Sequence, residues 1–149
     1  MKVSKIMTKK VYTIYPESTV EEAAKIMFNK GLTGLPVINR KNQLVGIITE
    51  ADLIKQKAKI DLPLYIQFLD SILYLENPTK KIKKEIQKIL GIKVVDLMTK
   101  KVITITPDTE VSDLATLMLD RHINPIPVVK NKKLVGIVSR ADLIKLLIK

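Results

Sequence analysis

One stretch is written twice in this chain, and it limits the fold to something assembled from two copies of one unit. Residues 44–55 read Leu-Val-Gly-Ile-Ile-Thr-Glu-Ala-Asp-Leu-Ile-Lys, and residues 134–145 read Leu-Val-Gly-Ile-Val-Ser-Arg-Ala-Asp-Leu-Ile-Lys; nine of the twelve positions are identical. Each copy opens as a short β-branched apolar run, the pattern of a buried strand. It then passes through a hydroxyl residue into Ala-Asp-Leu-Ile-Lys, the first turn of a helix. The open N–H groups of a helix start favour negative charge.

The repeat extends further. Residues 6–38 align with 97–129 at an offset of 91, with 13 of 33 positions identical. One residue is then lost in the second turn, and the offset becomes 90. Two copies of this length imply units whose apolar faces cover each other. Each unit reads strand, helix, strand, strand, helix. In the first, Val11–Ile14 is a strand. Ser18 with Glu21 forms a capping box for a helix ending near Lys30, and Gly31 is its C-cap. Strands follow at Leu35–Ile38 and Gln43–Ile48, then a helix from Ala51 to Lys57. The second unit repeats this: strand 102–105, helix 110–121, strands 126–129 and 134–138, helix 141–148. The expected organisation is a first domain over 1–57, a helical segment over 58–92 and a second domain over 93–149. The segment reads as two helices, Leu62–Leu75 and the basic, amphipathic Thr79–Leu90. It is too apolar for a structureless linker. Packing on the units, forming an interface or extending the core as a lid are all open to it.

Composition excludes several chemistries. There is no cysteine, so disulfides, thiolate catalysis and cysteine-ligated metal are ruled out, which fits a reducing cytoplasm. His122 is the only histidine, and a zinc site is not expected. It follows Arg121 at a helix end, where it can satisfy terminal carbonyls. No P-loop, Gly-x-Gly-x-x-Gly or nucleophile elbow is present, and no enzyme active site is read. Neither a signal peptide nor a membrane span is expected. The net charge of +11 is carried almost wholly by lysine. It attracts phosphates or nucleic acid, or it is simply a solvated surface, since the lysines are dispersed along the chain.

Four features, each present in both units, carry a resemblance: Met-Thr before the first strand, Thr-Ile-x-Pro after it, Leu/Ile-Pro-Val in the second strand, and Gly-Ile-Ile/Val-Thr/Ser-x-Ala-Asp-Leu-Ile. Together they resemble a tandem pair of cystathionine-beta-synthase (CBS) domains, often called a Bateman module. The resemblance implies an α/β fold of two units related by a pseudo-twofold axis. It also implies a regulatory, non-catalytic role and adenosine-containing ligands (AMP, ADP, ATP or S-adenosylmethionine) held in two clefts. By the same resemblance the ribose carboxylates fall on Asp52 and Asp142, and the hydroxyls three residues earlier on Thr49 and Ser139. Thr49, Ala51 and Asp52 would face Val102, Asn124, Pro125 and Ile126. Ser139, Ala141 and Asp142 would face Val11, Thr33, Gly34 and Leu35. A homodimer acting through an effector protein is also implied.

Two readings of the aspartates stand side by side, because Thr49-x-x-Asp52 and Ser139-x-x-Asp142 are also capping boxes in form. There is one departure from the family pattern. The arginine or histidine that some adenylate-binding members carry before Leu/Ile-Pro-Val is replaced by Thr33-Gly34 and Asn124-Pro125. No bidentate phosphate clamp stands there. Arg140 is the remaining candidate for charge in the Asp142 cleft, and Glu50, its counterpart, would repel phosphate in the other. The competing functions are an oligomerisation module with empty clefts and a lysine-based nucleic-acid binder.

Overall fold

The computed structural model describes residues 1–57 and 91–148. The helices expected at Leu62–Leu75 and Thr79–Leu90 lie outside the described residues. The elements, in order, are α1 (Val20–Lys30), β1 (Gly34–Ile38), β2 (Leu44–Thr49), α2 (Glu50–Lys57), α3 (Val94–Leu97), α4 (Val111–Arg121), β3 (Ile126–Lys130), β4 (Lys133–Val138) and α5 (Arg140–Leu147), with a single 3-10 turn at Val3–Lys5.

The expected first strand of each unit shrinks to one parallel bridge, Ile14 to Val37 and Ile105 to Val128. Proline is the reason. Ile14 donates to the Pro36 carbonyl and accepts from Ile38, and Ile105 does the same with Pro127 and Val129. The next rung would need an N–H from Pro36 or Pro127, which neither has. The helix start is also displaced by one residue. Thr19, not Ser18, caps α1, and Glu22, not Glu21, closes the box. Ser18 is committed elsewhere: its N–H donates to Tyr15 and its carbonyl accepts from Val94. Gly31 ends α1 in the left-handed region at φ 63°, where the absence of a Cβ removes the steric penalty.

Each hairpin is antiparallel, β1 with β2 and β3 with β4, and each carries a bulge near its turn. Two separate cores result. One gathers Ile14, Met27, Leu35, Val37, Ile48 and Leu53, and the other Ile105, Leu114, Met118, Ile126, Val128 and Val138.

The two units exchange their leading segments. Val94 completes the first core, while Val3 completes the second. The backbone shows the same crossing. Val94 and Val95 donate to Ser18 and Pro16, and Val20 donates to Ile92; Val3 and Ser4 donate to Thr109 and Pro107, and Val111 donates to Met1. The exchange continues into the hairpins. Thr8 forms a reciprocal bridge with Ile137 of β4, and Thr99 with Ile47 of β2. Covalent neighbours therefore sit in different cores, and the chain between them spans the junction where the clefts lie.

Candidate functional site

Two clefts flank the junction. The larger, about 430 Å³, is lined by Thr8, Lys10, Val11 and Tyr12, by Gly31–Gly34, by Asn124 and Pro125, and by Ile137, Ser139, Ala141, Asp142 and Lys145. The smaller, about 260 Å³, is lined by Ile47, Thr49, Ala51, Asp52, Lys55, Thr99, Lys101, Val102, Ile103, His122, Ile123, Asn124 and Pro125. Most of the residues expected at each cleft are thus brought together, and from both units. Asn124 and Pro125 line both clefts. Leu35 and Ile126 do not join the linings, because their side chains are fully buried in the two cores.

The aspartates both act as caps through one carboxylate oxygen. Asp52 Oδ2 accepts from the Thr49 N–H at 2.9 Å and the Thr49 hydroxyl at 3.1 Å. Asp142 Oδ2 accepts from the Ser139 N–H at 2.8 Å and the Ser139 hydroxyl at 3.0 Å. These bonds cap the helix starts. The other oxygen distinguishes the clefts. Asp52 Oδ1 accepts from the Thr99 hydroxyl at 2.9 Å. Asp142 Oδ1 instead faces Lys145 Nζ at 3.5 Å. Both carboxylates are largely withdrawn from solvent, Asp52 at 7% exposure and the Asp142 side chain at 11%.

Charge reaches the clefts differently from the expectation. Arg140 and Glu50 are exposed, and neither is among the cleft-lining residues. Each is the first residue of its helix, and what Arg140 contributes is its backbone N–H, which donates to Asn124 Oδ1 at 2.9 Å. Lysines supply the charge instead: Lys10 and Lys145 in the larger cleft, Lys101 and Lys55 in the smaller. These are equivalent pairs in the two units. Their signal was present in the sequence, in the duplicated Met-Thr-Lys-Lys-Val and Ala-Asp-Leu-Ile-Lys runs. Tyr12 and its counterpart Ile103 were also missed, being partly exposed positions without a repeat signature. His122 ends α4 in the left-handed region at φ 52° and lines the smaller cleft.

Asn124 ties the junction together. Its Nδ2 donates to Thr33 Oγ1 at 3.2 Å, while its Oδ1 takes the Arg140 N–H. Among the described residues no three His, Cys, Asp or Glu side chains converge on a metal-sized site. No described helix is long and apolar enough to cross a membrane.

The CBS domain family matches at residues 3–59 and 94–149. An uncharacterized protein of Methanocaldococcus jannaschii is 32% identical over 97% of this chain and 90% of its own length. A homoserine O-acetyltransferase of Methanococcus vannielii is 32% identical over 95% of this chain but only 24% of its own length, so the likeness leaves most of that enzyme unmatched. Among solved structures, CBSX2 in complex with AMP superposes with a TM-score of 0.73 at 27% identity, covering 99% of this chain and 96% of that one. The CBS domain pair of protein MJ0100, in complex with 5'-methylthioadenosine and S-adenosyl-L-methionine, gives 0.71 at 26% identity and 99% coverage of both chains. On the duplicated family match and a fold shared along the whole chain, the protein belongs to the CBS domain family and carries two copies of the domain.

Proposed function

We propose that this CBS pair is a regulatory sensor that binds an adenosine-containing ligand in the cleft built on Asp142. One observation carries the reading: Asp142 lines that cleft with only the exposed Lys145 side chain near its Oδ1 among the described residues, and Lys10 lines the same cleft. An ionised carboxylate is an acceptor only and suits the vicinal hydroxyls of a ribose. The two lysines and the N-terminus of α5 suit a phosphate or another anionic group. Val11, Tyr12, Leu32 and Pro125 offer apolar surface for a base. The volume falls within the ~300–1,000 Å³ usual for small-molecule pockets. The complexes of similar pairs with AMP, and with 5'-methylthioadenosine and S-adenosyl-L-methionine, support the ligand class.

The role is binding rather than catalysis. Because the lining comes from both units, a ligand biases their arrangement by its differential affinity for the two states. The output passes to a partner protein or through a homodimer. Thermal unfolding with AMP, ADP, ATP, S-adenosylmethionine, adenosine and GTP tests this. A ligand at a hundredfold its Kd adds about 2.7 kcal/mol, a rise of roughly 5–11 °C at this chain length. The expected result is such a rise with at least one adenosine compound, lost in Asp142→Ala. No rise with any compound would leave both aspartates as helix caps and favour an oligomerisation role with empty clefts.

A further inference from the structure

The two clefts come from duplicated sequence, yet their carboxylates are not in the same state. The backbones are equivalent. Thr8 is strapped to Ile137 and Thr99 to Ile47 by the same reciprocal pair of hydrogen bonds. The side chains are not. The Thr99 hydroxyl donates to Asp52 Oδ1 at 2.9 Å. Among the described residues no such bond joins Thr8 to Asp142, whose Oδ1 has only Lys145 at 3.5 Å. With Thr49 on Oδ2, each Asp52 oxygen is engaged by at least one hydrogen bond from within the chain, and three of the roughly four acceptor sites of the carboxylate are taken. The Asp52 cleft is also smaller, about 260 Å³ against 430 Å³, and falls below the usual ~300 Å³ for a small-molecule pocket.

We infer that Thr99 is a latch that closes the Asp52 cleft to a ribose diol, so that each chain takes one adenosine ligand, at Asp142. The inference rests on the sensor reading above and adds the stoichiometry and the residue that sets it. A diol donates two hydrogen bonds, so at Asp52, with one acceptor site left, it must compete with the Thr99 hydroxyl for a charged acceptor. One hydrogen bond to a carboxylate corresponds to a factor of roughly 10–100 in affinity. At Asp142 the competing group is an ammonium on an exposed side chain, which can swing into solvent. Thr99 thus acts by holding Asp52 rather than by touching the ligand.

Isothermal titration of the full chain with AMP and with S-adenosylmethionine, in wild type, Thr99→Val and Thr99→Val/Asp52→Asn, is the test. Valine keeps the shape of threonine and removes its hydroxyl. The expected result is one site per chain in wild type. A second site appears in Thr99→Val, tighter by a factor of roughly 10–100 than any residual wild-type event, and vanishes in the double variant. Two sites in wild type, or a single site in Thr99→Val, overturns the latch. No heat from either probe in any variant is a failure of the sensor reading, and the latch is then decided without ligand. Thr99→Val and Asp52→Asn should lower the Tm non-additively, with Thr8→Val and Asp142→Asn additive. Additivity of the Thr99 and Asp52 effects overturns the latch.

Discussion

Asn124 of the second unit donates to Thr33 of the first across the junction, Nδ2 to Oγ1 at 3.2 Å. One residue on in each unit, Gly34 faces Pro125 with no room for a side chain: a Cβ added to Gly34 would stand 2.9 Å from Pro125 Cδ, 3.1 Å from Thr49 Cγ2 and 3.2 Å from the Ile48 carbonyl. Asn124 and Pro125 line both clefts, and Thr33 and Gly34 line the larger, so the spacing of the units is set where the ligand would lie.

Gly34→Ala should therefore wedge the units apart. A proline ring and a main-chain carbonyl cannot swing away as a flexible side-chain tip can. Overpacking of this kind costs about 1–3 kcal/mol, a Tm lowered by roughly 2–12 °C at this length. Differential scanning calorimetry checks it, and an unchanged Tm would mean that the junction yields freely.

Removing cleft charge should separate phosphorylated from neutral ligands. Lys10→Ala and Lys145→Ala are each expected to weaken AMP by about 3–10-fold, a partly screened single-charge contribution, while leaving adenosine within twofold. The AMP effect should shrink in high salt. Equal losses for AMP and adenosine would show that the lysines shape the cleft instead of meeting a phosphate.

The exchanged N-terminal segment carries an acid-sensitive clasp. Lys2 Nζ lies 2.7 Å and the Met1 ammonium 2.9 Å from the two oxygens of Glu110. The hydrogen bond from Lys2, joined by that from the terminal ammonium, lowers the Glu110 carboxyl from its ordinary 4.5 to about 2. A depressed folded-state value stabilises the fold above pH 4.5, and the stabilisation is lost as pH falls from there through 2. The groups are exposed, so the effect is small and salt-sensitive. The Tm difference between wild type and Glu110→Gln should be largest near neutral pH and close between pH 4.5 and 2. A difference constant over that interval would place the effect of the substitution outside the clasp.

Ile54 on α2 and Ile144 on α5 hold equivalent positions in the two units and are 48% and 59% exposed; Leu147 and Ile148 are exposed at 84% and 81%. If this surface seals a homodimer, Ile54→Lys/Ile144→Lys should halve the mass found by sedimentation equilibrium. An unchanged mass, dimeric or monomeric, would remove these residues from any dimer contact.

Much of this protein was legible in its sequence. The duplication marked two units, the 3.6-residue apolar spacing of Val20, Ala23, Ala24 and Met27 marked the buried face of α1, and Gly31 marked its end. Local chemistry sufficed there because each signal acts within a turn or two of backbone. The aspartates were legible as caps for the same reason. Other features depended on partners distant in the chain. Whether Val11–Ile14 became a strand depended on the missing N–H of Pro36. Whether Ser18 or Thr19 capped α1 depended on which carbonyl Val94 required. The exchange of Val3 for Val94 carries no local signature, because both segments suit either core and only the path of the chain selects between them. The asymmetry of the clefts lies at the same level. The duplicated sequence predicts two equivalent carboxylates. The ammonium near Asp142 is a local pair three residues along one helix, but tertiary packing alone set a hydroxyl against Asp52, because a hydrogen bond between segments 47 residues apart is chosen by how the units settle on each other and not by what each unit encodes.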